Sequence, residues 1–327
     1  MPPSPAARLS RRALVAAALG GPLAGGLSGC VGQPWDRLPR TTLTMATGNR
    51  GGVFDRYGEA LATVLARRID GLTVETHNTN ASLVNLRQVA HGRRDLGFSL
   101  GDVAADAVRG TGQFREPLDV AALARTYDSF VQLVVPASSP VEEVADLRGR
   151  RVGLGGFGSG TRVIARRVLA VAGVGPADVE ASNATLEASA AALQHGELDA
   201  FFFVSGIPNT AISDLSRAVA IRLVDLGDVV TNMTAAHGHE YTVGPIPAST
   251  YDQPDAIDTL SVKNYLVVRP DLDEALAYAL TRVVFEAQAS VERIAPGVGQ
   301  PNLGAAIFTS PLPLHPGAER YYRERHL

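Results

Sequence analysis

The sequence predicts an α/β fold in two lobes, and three observations carry that prediction. From Thr41 onward, short β-rich runs alternate with longer helical ones, the pattern of a mostly parallel sheet flanked by helices. The alternation occurs twice, in two series of similar build. Two longer β-branched runs, Phe130 to Val135 and Thr259 to Val268, flanked by Pro136 and Pro270, bound the second series and read as strands crossing between the lobes.

In the first series the strands are Thr42 to Ala46, Leu72 to Thr76, Asp95 to Ser99 and Val120 to Arg125. Helices near Val53 to Arg68, Leu83 to His91 and Val103 to Arg109 lie between them. The second series has strands at Arg151 to Leu154, Val179 to Ser182, Asp199 to Val204 and Ala220 to Val224, with helices near Thr161 to Ala172, Leu186 to His195 and Thr210 to Ala218. A helix from about Leu272 to Ile294 then returns to the first lobe. Lobe 1 is therefore expected to take residues 41–133 and 262–327, and lobe 2 residues 134–261.

Residues 1–29 read as a targeting signal, to be set aside before fold reasoning. Arg8, Arg11 and Arg12 make a basic start, Ala13 to Leu19 a short apolar core, and Leu27-Ser28-Gly29-Cys30 has the look of a bacterial lipobox. The glycine-broken apolar stretch is shorter than the roughly 20 residues that span a bilayer. Ser10-Arg11-Arg12 also matches the start of a twin-arginine signal. Cys30 is the single cysteine, which excludes an intrachain disulfide and a thiolate-rich metal site. Lipidated, it would anchor the chain to the outer face of a membrane, with residues 30–40 as linker. Of 30 lysines and arginines, three precede Cys30, leaving 27 against 33 acids and a net charge of −6. That balance argues against a nucleic-acid partner.

Three glycine- or hydroxyl-rich turns fall between a strand and the helix after it: Thr47-Gly48-Asn49-Arg50-Gly51-Gly52, Asn78-Thr79-Asn80-Ala81-Ser82, and Gly155-Gly156-Phe157-Gly158-Ser159-Gly160-Thr161. Glycine lets backbone approach a ligand closely, and a helix start offers unsatisfied N–H groups with a partial positive charge. Such ends hold carboxylates and phosphates without a lysine. Any one turn alone is an ordinary capped connection. Three together, at the carboxyl ends of strands, point to one ligand cleft.

Other chemistry is weaker. Gly153-x-Gly155-x-x-Gly158, with Glu180 beyond it, formally matches a dinucleotide fingerprint and supports an exported oxidoreductase as an alternative. Ser159 lacks the context of a hydrolase elbow, since Phe157 and Thr161 flank it. His237-Gly238-His239-Glu240 falls in an expected loop, with no third metal ligand at a recognisable spacing. No metal and no cofactor are expected.

At these turns the sequence resembles the TAXI family of solute receptors, the binding subunits of one branch of TRAP transporters. The resemblance runs through the Thr47 to Gly52 turn with Val53-Phe54, Ala81 to Leu86, Asp95-Leu96-Gly97 with Asp102-Val103, Gly158 to Arg162, Asp199 to Pro208, and Pro313 to Tyr322. It implies a periplasmic-binding-protein fold of the second type, a small anionic solute such as glutamate, glutamine, 2-oxoglutarate or another short dicarboxylate, and a TRAP-type membrane permease. The alternative within the same fold is a receptor for an ABC importer or a sensor. Carried over position by position, the ligand site comprises Thr47, Gly48, Asn49, Arg50, Gly51, Gly52 and Val53. It continues with Asn80, Ser82, Asn85 and Asp102, then Gly158, Ser159, Gly160 and Thr161, and Gly206 and Pro208. Solute is expected to bind first through N–H groups and the Ser159 and Thr161 hydroxyls.

The chain departs from the family at Arg50, at Asp55-Arg56, and at Leu100-Gly101-Asp102, where relatives carry Gln-Ser-Asp. Arg50 either meets a second carboxylate or faces solvent, and Asp55 pairing with Arg50 or Arg56 would lower the charge available to a ligand. Phe201 to Phe203 are expected in the core, and the tail from His315 to Leu327 as a solvated face.

Overall fold

A computed structural model describes residues 40–326. The expected signal, Cys30 and all of the linker except Arg40 lie outside the described residues.

The first lobe opens with β1 (Thr41–Ala46), α1 (Val53–Arg68), β2 (Leu72–His77), α2 (Ser82–Ala90), β3 (Leu96–Leu100) and α3 (Gly101–Arg109). β4 (Ala121–Pro136) leads into the second lobe, built from β5 (Arg151–Gly153), α4 (Gly160–Val171), β6 (Glu180–Ser182), α5 (Leu186–Gln194), β7 (Ala200–Ser205), α6 (Thr210–Ala218), β8 (Ile221–Leu223), α7 (Gly227–His237) and β9 (Tyr241–Ile246). β10 (Ile257–Val268) returns the chain, and α8 (Glu274–Glu286), α9 (Gln288–Ile294), α10 (Leu303–Ala306) and α11 (Pro316–Glu324) complete it.

The strands run in the order β2-β1-β3-β10-β4-β7-β5-β6, with β8 on β4 and β9 on β10. β1 is parallel to β2 and β3, and β5 is parallel to β6 and β7. Each lobe thus repeats one parallel β-α-β-α-β arrangement, and antiparallel β4 and β10 serve both. β10 pairs with β3 through Asn264–Val268, and β4 pairs with β7 through Phe130–Val134.

Val120 to Arg125 and Phe130 to Val135, expected as separate strands, are one strand. The polar residues between them mark a shift in register: Lys263 opposes Asp128, while Tyr265 opposes Arg125. Fully buried Asn264 fills the step, donating from Nδ2 to the Tyr127 carbonyl at 2.7 Å and to Ser129 Oγ at 3.0 Å. Thr126 Oγ1 donates to the Asn264 carbonyl at 3.3 Å.

α1 shows how the elements follow from the sequence. Val53, Tyr57, Ala60, Leu61, Val64 and Leu65 recur at helical spacing and are all buried, while Arg67 and Arg68 stand at the carboxyl end, where cations suit the helix dipole. Its buried face packs with Met45, Leu96 and Phe98 in the first-lobe core.

Three further expectations are corrected. The helix expected from Leu272 to Ile294 is two, α8 and α9, meeting at Ala287. His237 closes α7 instead of lying in a loop, and Glu240 is buried. The tail is only partly solvated: α11 packs on α8, Tyr321 and Tyr322 are buried, and Tyr322 Oη donates to the Leu123 carbonyl at 2.8 Å. Phe201 to Phe203 are all buried, as expected.

Candidate functional site

The first turn is shaped by Asp55, whose carboxylate accepts from the Gly51 N–H at 3.0 Å, from Thr47 Oγ1 at 3.4 Å and from Asn78 Nδ2. Asp55 therefore pairs with neither Arg50 nor Arg56. Arg56 instead crosses to the second lobe, donating to Thr210 Oγ1 at 3.1 Å, and also reaches the Pro296 carbonyl at 2.6 Å. Arg50 is exposed.

The second turn is tied to the first through Asn85. Thr79 Oγ1 donates to Asn85 Oδ1 at 2.5 Å and in turn accepts from the Ala81 N–H at 2.9 Å. Ala81, immediately before α2, adopts φ 67° and ψ −142°, a conformation that L-residues avoid, so strain is held at this turn. In the third turn, Gly155 and Gly158 supply the positive φ angles (89° and 76°) that a side chain would resist. Ser159 Oγ caps α4 by accepting from the Arg162 N–H at 3.1 Å, and Thr161 Oγ1 accepts from the Val204 N–H at 3.3 Å. Gly153 has a packing reason of its own, because a Cβ there would stand 2.7 Å from Phe201 Cβ.

These turns meet around one cavity of ≈ 30 Å³. Gly48, Asn49, Gly52 and Val53 line it from the first turn, Ser82 from the second, and Gly160 and Thr161 from the third. Sequence reasoning missed the rest of its wall: Phe54, Ala81 and Leu100 from the first lobe, Phe203, Val204 and Ser205 at the end of β7, and Tyr127 and Ser129 on β4. Leu100 ends β3 and Phe203 lies near the end of β7, and neither strand leads into one of the three turns. Among the described residues no Lys, Arg, Asp, Glu or His lines the cavity. Its electrostatics come from α1, α2 and α4, which begin at it with first-turn N–H groups lacking intrahelical acceptors. The buried Tyr127 hydroxyl has no hydrogen-bond partner among the described residues. Burial, with a contribution from Tyr57, pushes that phenol well above its ordinary pKa, so it stays protonated and able to donate.

The remaining expected site residues lie elsewhere. Thr47, Gly51 and Asn85 build the turns without lining the cavity, and Asn80 is exposed. Gly158 and Ser159 line a neighbouring groove of ≈ 360 Å³ with Arg162 and Arg166. Gly206 faces a third space of ≈ 310 Å³, which shares Tyr127 with the cavity, and Pro208 is exposed. Asp102 is buried against Arg167, whose Nη1 lies 2.8 Å from its Oδ2. Burial pushes the Asp102 carboxyl up from its ordinary range, against the pull of Arg167 and the Tyr241 hydroxyl. Burial likewise opposes the Arg167 charge, but Asp102, Tyr241 and Asp106 outweigh it and hold the guanidinium above its usual pKa.

Two α/β lobes that share a pair of antiparallel strands, with helix starts from both lobes converging between them, define the class: this is the fold of periplasmic solute-binding proteins. The binding-protein component of an ABC phosphonate transporter from Pseudomonas aeruginosa matches with a TM-score of 0.55 at 12% identity, over 80% of this chain and 80% of that one. MatC from Rhodopseudomonas palustris, with bound malate, matches with a TM-score of 0.54 at 18% identity, over 80% of this chain and 90% of that one. The chain belongs to the NMT1-like family, which it matches over residues 45–325.

Proposed function

We propose that this chain is an extracytoplasmic receptor that captures a small anionic solute between its lobes and presents it to a membrane transporter. The observation that carries the reading is the convergence of three helix starts, two from one lobe and one from the other, on a cavity that no charged side chain lines among the described residues. Partial positive charge from N–H groups suits an oxyanion. Closure excludes water, and the hydrogen bonds that remain to a charged acceptor are then stronger than in bulk. The cavity is small beside the ~300 Å³ or more usual for ligand pockets. A solute of four or five carbons therefore enters with the lobes apart and is retained when they close. Among the described residues no nucleophile–base pair lines the cavity, which favours binding over turnover.

Short carboxylates and phosphonates both present the oxyanion chemistry this site suits. An ABC-type importer is the transporter favoured by the similarity to the phosphonate-transporter component. The TAXI resemblance supports a TRAP permease as the second reading. In either case the reading puts the receptor on the outer face of a membrane, tethered through a lipidated Cys30.

Thermal unfolding against short dicarboxylates, 2-oxoacids, amino acids, alkyl phosphonates, alkyl sulfonates and neutral sugars tests it. A ligand that binds the folded state alone raises the midpoint, with about 2.7 kcal/mol of added stability at a hundredfold excess over Kd. A rise with one class of oxyanion identifies the solute class. A rise with neutral sugars alone refutes the anion reading.

A further inference from the structure

We propose that Arg167 is a positioning residue for solute capture: it bridges the two lobes and holds the start of α4 against the first lobe when the protein is closed. The inference rests on the receptor reading above. Arg167 belongs to α4 in the second lobe, and its guanidinium forks onto two carboxylates of α3 in the first. Nη1 lies 2.8 Å from Asp102 Oδ2, and Nη2 is bonded to Asp106. Tyr241, on β9 of the second lobe, completes the cluster: it accepts from Arg167 Nη1 at 2.9 Å and donates to Asp102 Oδ2 at 2.7 Å. The Arg167, Asp102 and Asp106 side chains are 13%, 1% and 15% exposed, so Asp102 is buried and the other two are largely covered at the edge of the ≈ 360 Å³ groove.

Helical geometry links this cluster to the solute cavity. Asp102 and Asp106 are four residues apart and share one face of α3. Gly160 and Arg167 are seven apart, two turns along one face of α4. The helix that carries Arg167 thus also carries a wall of the cavity, and a Cβ at Gly160 would meet Leu100 Cδ1 and Ser82 Oγ, both of the first lobe.

The charge balance explains why an arginine is needed. With the lobes apart, all three charged groups are solvated. Closing without Arg167 would bury two carboxylates with no cation, which is strongly unfavourable, whereas the planar fork satisfies both at once. Arg167 thereby makes the closed form accessible.

Pulsed EPR distances between spin labels at Ala66→Cys on α1 and Ala218→Cys on α6, in the full chain carrying Cys30→Ser, read the lobe separation directly; both positions are exposed. In solute-free protein, Arg167→Gln is expected to lower the ratio of closed to open molecules about tenfold. Adding Asp102→Asn and Asp106→Asn to that variant leaves no charge to bury and is expected to restore closure. If Arg167→Gln alone fails to fold, Asp106→Asn, which removes one prong at the more exposed carboxylate, is expected to open the protein by a smaller factor. An unchanged distance distribution in a folded Arg167→Gln or Asp106→Asn protein overturns the proposal, as does a triple variant no more closed than Arg167→Gln. These distances need no solute. Failure of every solute in the thermal panel leaves the bridge standing, while an unchanged distribution removes the bridge and leaves the receptor reading intact.

Discussion

Asn85 Nδ2 stands 2.6 Å from the carbonyl oxygen of Thr47 and 2.8 Å from that of Phe98, so one buried amide joins α2 to the residue after β1 and to the middle of β3. Truncating it removes the donor from two carbonyls at once, at about 1–3 kcal/mol for each buried group left unpaired. Asn85→Ala is expected to lower the free energy of unfolding by about 2–4 kcal/mol in a urea titration. Asn85→Asp, which keeps the shape but loses the donor, should fare no better. A loss below about 0.5 kcal/mol, the scale of an ordinary surface change, would mean that Asn85 does not hold the turns together.

Gly160 separates closure from folding. A methyl group there meets Leu100 and Ser82 across the lobes, with Ser82 Oγ at 2.8 Å, while within α4 alanine is the better helix former by about 1 kcal/mol. Gly160→Ala is expected to leave the unfolding midpoint of the solute-free protein unchanged or raised, and to weaken solute binding tenfold or more, about 1.4 kcal/mol. Calorimetric titration with a solute that stabilises the wild type measures the second effect. Unaltered affinity would show that Gly160 does not approach the first lobe in the bound state.

Much of this architecture is legible in the sequence because local signals agree with tertiary placement. α1 begins and ends where its apolar spacing, preceding glycines and closing arginines say it should. β4 is legible only in pieces, since Thr126 to Ser129 look like a break when read alone, and only Asn264, far away in sequence, shows that they form a step in pairing. α11 was obscured for a different reason: Arg320 and Arg323, with Arg325 just beyond the helix, suggest a solvated face, while Tyr321 and Tyr322 turn inward onto α8 and β4. In the candidate site the glycines and hydroxyls could be read, because their backbone demands are local. Its aromatic and aliphatic wall could not, because Phe54, Tyr127 and Phe203 become neighbours only when α1, β4 and β7 are assembled. Asp102 marks the same limit. The family resemblance carried it over as a ligand contact, and its partner, Arg167, lies 65 residues away.

His315 gives a pH dependence of defined sign. It caps α11, with Nδ1 accepting from the Gly317 N–H at 3.1 Å, and burial lowers its pKa against the opposing pull of nearby carbonyls and acids. The unfolded chain takes up this proton near pH 6.5, before the folded chain does. Stability is therefore full above about pH 6.5 and falls as pH drops below it, by at most about 1.4 kcal/mol per pH unit for one such group. His237, lowered chiefly by burial, acts in the same direction. Asparagine caps helices well and does not titrate, so His315→Asn should narrow the gap between unfolding midpoints at about pH 5.5 and pH 7.5 while leaving the higher value nearly unchanged. An identical gap in both proteins would assign the dependence to other groups.

Antiparallel hydrogen bonds between β4 and β10 oppose sliding of one strand along the other, since a slip of one residue would turn every side chain to the wrong face of the sheet. Bending and twisting such a ribbon costs far less. The register step at Asn264 lies beside Tyr127 and Ser129, at the wall of the cavity itself. On the receptor reading, rotation of one lobe against the other would bend these two strands and be stiff in other directions. If the receptor reading holds, a transporter would encounter the same silhouette after every capture, because the mechanics of two strands leave little freedom to close in any other way.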